Sequence, residues 1–333
     1  MGKKVAILGA TGAVGQEMMK ILAEREFPLD ELRLLTGPNS AGKTVDFCGQ
    51  QLVCQQAGEG SFDGLDIVLG AAENDIARAM WPHIKASGAL FIDNSSEFRL
   101  DPDVPLVVPE VNGDDAFEHH GLIANPNCVT IIALMALKPI SDISPIQTLV
   151  ASSYQAVSGA GINGMKELDA QVRAYAAGEE QPFAHKTFAK QIAFNLIPKI
   201  GSVGFDGYSS EEMKLQNEGR KIMHLPDMKV CCTCVRVPVF RSHAISMQIT
   251  TAEPVSVEAA KAAVLKADGL QLADVPNAEL YPMPLDTSDQ DLVYVGRIRK
   301  DNINENGLAL WCCGDQIRKG AAGNAVQIAE MFL

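Results

Sequence analysis

The sequence predicts an α/β fold in which an N-terminal, Rossmann-like, doubly wound domain is followed by an α+β second domain. Three observations carry this prediction. Short apolar runs alternate with helical patterns over the first third of the chain, as in a parallel sheet crossed by helices. Val5-Ala6-Ile7-Leu8 leads directly into a glycine-spaced turn and then a helical pattern. Further along, longer strand-like runs and helices follow in an order that suits a mixed sheet.

Taken in order, Val5–Leu8 reads as a strand and Val14–Glu24 as a helix. Leu32–Leu35, Ile67–Leu69, Leu90–Ile92 and Leu122–Ala124 read as further short strands, with helical character at Ala77–Ala86. Val129–Leu137 is a helical run. Gln147–Ala156 reads as a strand and Gly164–Ala177 as an amphipathic helix. Ser210–Ile222 is a helix whose Ser-Glu-Glu start resembles a capped N-terminus. Val230–Ile249 is strand-rich and broken or bent around Pro238. Val257–Ala267 (helix), Leu292–Ile298 and Leu308–Cys312 (strands) and Ile317–Phe332 (helical, able to pack back on the first domain) complete the pattern. The expected boundaries are 1–127 plus the C-terminal segment 314–333 for the first domain, and 128–313 for the second.

At 333 residues there is room for two buried cores. The net charge of −13 argues against a nucleic-acid or anionic-membrane surface, since both reward excess Lys and Arg. An anionic ligand then needs a local basic pocket. No apolar stretch approaches the roughly 20 residues of a membrane span, and Val5–Leu8 is too short for a signal segment. A cytoplasmic location is expected. Of eight cysteines, Cys231, Cys232, Cys234, Cys312 and Cys313 lie in strand-like apolar runs and are expected to be small buried hydrophobes. There is no CxxC pair or zinc-type spacing, so no metal is expected.

Gly9, Gly12 and Gly15 give a GxxGxxG turn between strand and helix. Missing side chains let a backbone approach a pyrophosphate, and the helix N-terminus adds N–H donors and a positive dipole end. The bland alternative is a merely structural tight turn. After the second strand, Thr36–Lys43 is a polar loop with one cation, Lys43, and no Asp or Glu. Such a loop leaves room for a 2′-phosphate and favours NADP over NAD.

Cys128 stands apart from the other cysteines. It follows Asn125-Pro126-Asn127 and opens the helical run from Val129, where unpaired N–H groups and the dipole favour a thiolate. Read alone, it is as readily a structural cysteine as a nucleophile. His243 is the best proton-transfer partner among six histidines, although a lone histidine is more often structural. Arg236 lies seven residues before it, an odd separation that puts the two on opposite faces of an unbroken strand. For both to face one pocket, a bulge or turn must intervene, at Pro238 or Arg241-Ser242. Glu211 and Lys214 share a helix face, which by itself suggests an exposed ion pair.

Several motifs in order make the chain similar to the aspartate-semialdehyde dehydrogenase family over essentially its whole length. They are Gly-Ala-Thr-Gly-Ala-Val-Gly at 9–15, Asp-Asn-Ser-Ser-Glu-Phe-Arg at 93–99 and Val-Val-Pro-Glu-Val-Asn at 107–112. Asn-Pro-Asn-Cys at 125–128, Ser-Tyr-Gln-Ala-Val-Ser-Gly-Ala-Gly at 153–161 and Glu-Glu-Met-Lys at 211–214 follow. Arg-Val-Pro-Val at 236–239 with His243, and Lys-Gly-Ala-Ala-Gly-Asn-Ala-Val-Gln at 319–327, complete the set.

The resemblance implies that Cys128 is the nucleophile and His243 the general acid/base. It implies substrate contacts at Arg236 (α-carboxylate), Glu211 (amino group) and Gln155 (orientation), and phosphate contacts at Arg99 and Lys214. Implied cofactor contacts are Gly9, Thr11, Gly12, Ala13, Val14, Gly15, Asn39, Ser40, Ser158, Gly159, Gln316 and Asn324. The implied reaction reduces L-aspartyl 4-phosphate to L-aspartate 4-semialdehyde with NADP(H), through a cysteine thioester, in lysine, threonine, methionine and isoleucine biosynthesis. Its partners are then the small-molecule substrate and inorganic phosphate, in a homodimer or tetramer whose second domain is both catalytic and dimerising.

Departures fall in the 2′-phosphate loop and beside two site residues. Relatives that prefer NADP often carry arginine in a Ser-x-Arg-Ser-x-Gly loop, where this chain has Gly37-Pro38-Asn39-Ser40-Ala41-Gly42, so NAD use is also expected. Val129 and Ala244 replace frequent serines. A reductase of N-acetylglutamyl phosphate would share the turn, cysteine and histidine, but Glu211, Lys214 and Arg236 favour a free amino acid. A non-catalytic nucleotide-binding relative is the alternative of another class, and retention of Cys128, His243, Arg236 and Arg99 together speaks against it.

Overall fold

The computed structural model describes residues 2–333. Its first elements are β1 (Lys3–Leu8), α1 (Ala13–Glu24), β2 (Leu29–Thr36), β3 (Thr44–Phe47), β4 (Gln50–Val53), β5 (Gln55–Gln56) and β6 (Ile67–Gly70). Next come α2 (Asn74–Ser87), β7 (Leu90–Asp93), α3 (Pro109–Asn112) and β8 (Leu122–Ala124). They are followed by α4 (Cys128–Ser141), β9 (Ile146–Gln155), α5 (Gly161–Ala176), α6 (Ser210–Ile222), β10 (Lys229–Arg236) and β11 (His243–Thr251). The chain ends with α7 (Val257–Lys266), β12 (Leu270–Leu272), α8 (Pro284–Thr287), β13 (Val293–Lys300), β14 (Gly307–Gly314) and α9 (Gly323–Glu330).

Two units separate by their internal contacts. One comprises the residues up to Asn127 with Ala321–Leu333, the other Cys128–Gly320. The first holds a parallel sheet of order β5-β2-β1-β6-β7-β8. Strands buried on both faces need continuous apolar runs, and β6, β7 and β8 are buried at every position. Val5, Ile7, Leu69 and Ile92 pack in one core with Met18 and Leu22 of α1 and Val326 of α9. The strand order reverses between β1 and β6, so the glycine turn after β1 sits at the switch point where doubly wound sheets bind ligands. The hairpin β3–β4 was not anticipated. Its strands are four residues each, half-exposed and polar, and carry little hydrophobic signal.

The second unit holds a mixed sheet of order β10-β9-β11-β14-β13-β12. β9 runs parallel to β10 and antiparallel to β11. Helix α4 is apolar all round and buried, as expected of a helix inside a core. It continues through Pro139 to Ser141, beyond the expected end at Leu137. An interior proline costs about 3 kcal/mol. Past the proline, burying Ile140 returns roughly 1.5–3 kcal/mol, which offsets most of that cost.

Residues 314–320, grouped by sequence with the first domain, belong to the second unit. Gly314 ends β14 opposite His243, and the Asp315 carboxylate accepts hydrogen bonds from Arg241 and from the Asp289 N–H, which ties them there. Among the described residues no helix is long and apolar enough to cross a membrane.

Candidate active site

The site in the second unit is organised by one residue, Ala156, directly after β9. Its N–H donates to His243 Nδ1 (3.1 Å) and its carbonyl accepts from Arg236 Nη1 (2.7 Å). Strand pairing explains how both side chains reach it. Arg236, the last residue of β10, pairs with Gln155 in parallel register, and His243, the first of β11, enters on the other side of β9. The required break is therefore a connection, 237–242, passing over the end of β9 rather than a bulge in one strand. It is held by Val157 N–H to Val239 O (2.8 Å) and Ser158 N–H to Phe240 O (3.2 Å), and closes with Ser242 in the left-handed region (φ +73°).

Arg236 is buried, and desolvation pulls its guanidinium below its ordinary range while the charges of Cys128 and Glu211 act in the opposite sense. Cys128, Glu211, Arg236 and His243 thus form one electrostatic cluster. Lys214 Nζ donates to Glu211 Oε2 (3.0 Å), and Glu211 is only 9% exposed, so this pair is not the solvated surface pair that spacing alone suggests. A Ser209–Glu212 capping box fixes the start of α6 and so the position of Glu211. Gln155 is buried, with Nε2 on Ser153 Oγ (3.1 Å).

Cys128 is the first residue of α4 and partly exposed. Burial raises the thiols of Cys54 and Cys312 and pushes that of Cys313 up to about 12. Hydrogen bonding to Cys234, reinforced by burial, raises Cys232. Those four stay protonated and inert. Cys231 departs from expectation, because it lies on the outward face of edge strand β10 and is exposed, with the Tyr208 hydroxyl 3.6 Å from its sulfur.

His243 is fully buried. Because Ala156 N–H occupies Nδ1, the neutral ring carries its proton on Nε2, a buried donor without a partner among the described residues. Burial, then the Arg236 charge, hold its pKa well below the ordinary value of about 6.5. The unfolded chain therefore binds a proton near pH 6.5 that the folded ring refuses. Stability is full above that pH and is lost as pH falls below it, by at most about 1.4 kcal/mol per unit. The thermal midpoint should drop more between pH 7 and pH 5.5 (on either side of that pKa of about 6.5) in wild type than in His243→Asn. An equal drop in both would place the acid sensitivity in other groups.

Sequence reasoning missed four contributors: Ala156, Phe188, Thr287 and Gly320. The Phe188 ring lies 5.9 Å from the Arg236 guanidinium, a cation–π distance. It belongs to an irregular stretch between α5 and α6 with no periodic signal. A Cβ on Gly320 would lie 3.0 Å from Cys128 Cβ, so the missing side chain makes room for the thiol. A Cβ on Gly159 would lie 2.7 Å from Arg236 Nη1 and 3.5 Å from His243 Nε2, which places Gly159 against both. Gln316 spends its amide internally, accepting from Ser242 N–H and donating to Ser158 Oγ.

In the first unit, the Gly9–Gly15 turn fits a pyrophosphate. Gly9 has φ +92°, and a Cβ there would lie 2.5 Å from Ala71 O. On Gly15 a Cβ would lie 2.4 Å from Gly9 O, so any side chain would push the helix off the turn. Helix α1 has no side-chain cap and no acidic residue in its first turn, leaving its N–H end available to an anion. Thr11, Ala13 and Val14 lie on this turn. Asn39 and Ser40 sit in the turn after β2, where Lys43 Nζ donates to Ser40 Oγ (3.2 Å). Arg99 is buried and donates from Nη2 to Asn94 O (2.7 Å). Asn324 is fully buried, bonded to Val107 O and Asn125 Oδ1. Among the described residues no group of three or more His, Cys, Asp or Glu is arranged to hold a metal.

Residues 4–119 match the family model described as semialdehyde dehydrogenase, NAD binding domain, and residues 137–319 that described as semialdehyde dehydrogenase, dimerisation domain. The aspartate-semialdehyde dehydrogenase of Aquifex aeolicus is 48% identical over 336 residues, covering 100% of this chain and 98% of the relative. The crystal structure of aspartate semialdehyde dehydrogenase II from Vibrio cholerae, complexed with ASA, is 43% identical with a TM-score of 0.96, covering 99% and 98%. That of the Candida albicans enzyme with NADP is 26% identical with a TM-score of 0.77, covering 99% and 98%.

Proposed function

This chain belongs to the aspartate-semialdehyde dehydrogenase family, and from that membership we infer that it interconverts L-aspartyl 4-phosphate and L-aspartate 4-semialdehyde with NADP(H), on the route to lysine, threonine, methionine and isoleucine. The observation that carries the residue assignment is the Ala156 backbone, gripped on its N–H by His243 and on its C=O by Arg236 in one cluster with Cys128.

Cys128 attacks the acyl carbon as a thiolate, the bond to phosphate breaks, and a thioester forms on Sγ. Bound NADPH supplies hydride to that carbon, and NADP accepts it in reverse. The resulting thiohemiacetal carries an oxyanion, to which the buried Nε2–H of His243 donates. Cleavage of the C–S bond releases the aldehyde and restores the thiolate. With Nδ1 already occupied, a neutral donor role suits this ring better than proton abstraction. Arg236 spends one N–H on Ala156 and keeps the rest of its fork for the substrate α-carboxylate. Glu211 suits the amino group, Lys214 supplies a cation for phosphate, and the same phosphate role is proposed for Arg99.

The cofactor contacts we propose are those of the glycine turn, the Asn39–Ser40 turn, Ser158, Gly159, Gln316 and Asn324. Lys43 is the cation on the 2′-phosphate turn. Phosphate-dependent oxidation of aspartate semialdehyde, run in parallel with NADP and NAD, tests the activity. In the same assay Asn39→Arg should raise the NADP:NAD ratio of kcat/KM by roughly tenfold, the worth of one charge-assisted hydrogen bond. An unchanged ratio would mean that this turn does not read the 2′-phosphate.

The dimerisation-domain match covers the mixed sheet, whose face away from α4 presents Val150 (49% exposed), Tyr154 and Trp311. We assign the homodimer contact to this face. All eight cysteines are free thiols.

A further inference from the structure

Between Arg236 and His243 the chain adopts a conformation that an ordinary side chain resists. Ser242 has φ +73°, is wholly buried and directly precedes His243. A non-glycine residue persists in the left-handed region only where its surroundings over-determine it. Those surroundings are specific. Ser242 N–H donates to Gln316 Oε1 (2.8 Å), and its hydroxyl meets Thr287 Oγ1 at 2.5 Å. Thr287 is itself fully buried and gives its only hydroxyl hydrogen to Met283 O (3.1 Å), so Ser242 is the donor and Thr287 the acceptor. The next two residues adjoin the same turn. Ser288 Oγ, whose hydrogen goes to the nearer Pro284 O (2.7 Å), lies 3.2 Å from Arg241 O, and Asp289 N–H shares the Asp315 carboxylate with Arg241.

We propose that Thr287 is a positioning residue: by holding Ser242 left-handed, it sets where the His243 ring enters the site. The proposal rests on the reading of His243 as the oxyanion donor. Rotation of Ser242 to negative φ would turn the 242–243 peptide and swing the imidazole off Ala156 N–H, the contact that keeps the proton on Nε2. Without Thr287 Oγ1, the Ser242 hydroxyl would be buried with no acceptor, so the turn would relax to find one. A displacement of about 1 Å at a reacting group costs up to about 100-fold in rate.

The test compares Thr287→Val, Thr287→Ser and His243→Ala, alone and in combination, by steady-state kinetics with aspartate semialdehyde, phosphate and NADP. Thr287→Val should lower kcat roughly 10- to 100-fold with the KM for aspartate semialdehyde within about twofold, and Thr287→Ser should restore kcat to within about threefold. In the His243→Ala background Thr287→Val should cost less than about twofold more, because its effect passes through the ring. Ser242→Gly, which adopts positive φ without strain, should retain more activity than Ser242→Ala, and this pair decides the matter if Thr287→Val does not fold. A full additional loss in the His243→Ala background, or equal kcat for Ser242→Gly and Ser242→Ala, would overturn the proposal. So would wild-type kcat in Thr287→Val while His243→Ala is crippled. Undiminished kcat in His243→Ala itself would instead remove the donor reading on which the proposal rests.

Discussion

Cys128→Ala is expected to abolish phosphate-dependent oxidation of aspartate semialdehyde, with kcat falling on the order of 10⁴-fold or more, as befits loss of a covalent nucleophile. No other cysteine is placed to substitute. Burial holds Cys54, Cys312 and Cys313 protonated, and hydrogen bonding with burial does so for Cys232. Cys128 opens α4, whose N–H end stabilises an anion, and stands in the electrostatic cluster of Arg236. The thiol is partly exposed, so its removal should leave the thermal midpoint nearly unchanged. Intact-protein mass spectrometry provides a second readout. Aspartyl phosphate without NADPH should add one aspartyl group to wild type and none to Cys128→Ala. Turnover surviving in the variant would exclude the covalent route.

The second large effect is expected at Arg236. Arg236→Lys keeps the charge but removes the planar fork that can hold Ala156 O and a carboxylate at once. Hydrogen bonds to charged groups contribute about 1.5–3 kcal/mol, so the KM for aspartate semialdehyde should rise roughly 10- to 150-fold. The KM for NADP should stay within about twofold, because Arg236 is not placed on the cofactor. A smaller fall in kcat should accompany this, since releasing the Ala156 carbonyl also loosens the residue whose N–H orients His243. Equal changes in both KM values would contradict the carboxylate role.

The regular elements were legible wherever a helix or strand buries an apolar face. The helix over Ser210–Ile222 matches its sequence bounds, and β1, β6, β7 and β8 lie where short apolar runs place them. Legibility failed for β3 and β4, too short and polar to show a period, and for the end of α4, where core burial offsets most of the cost of a proline. Cys231 shows the same limit on a smaller scale. Its strand was legible, but pleat alternation on an edge strand turned it outward while Cys232 and Cys234 turned in.

By itself the sequence determined a glycine turn between strand and helix, a cysteine at a helix N-terminus, and motifs sufficient to point to a family. Those are local properties, set by residues adjacent in the chain. Only the tertiary structure decided that Arg236 and His243 meet on one residue, Ala156, that Glu211 and Lys214 are not a surface pair, and that Thr287 braces Ser242. The Glu211–Lys214 spacing does not show what covers it, and Ala156 and Thr287 lie dozens of positions from the residues they hold. Contacts of that kind leave no spacing to read.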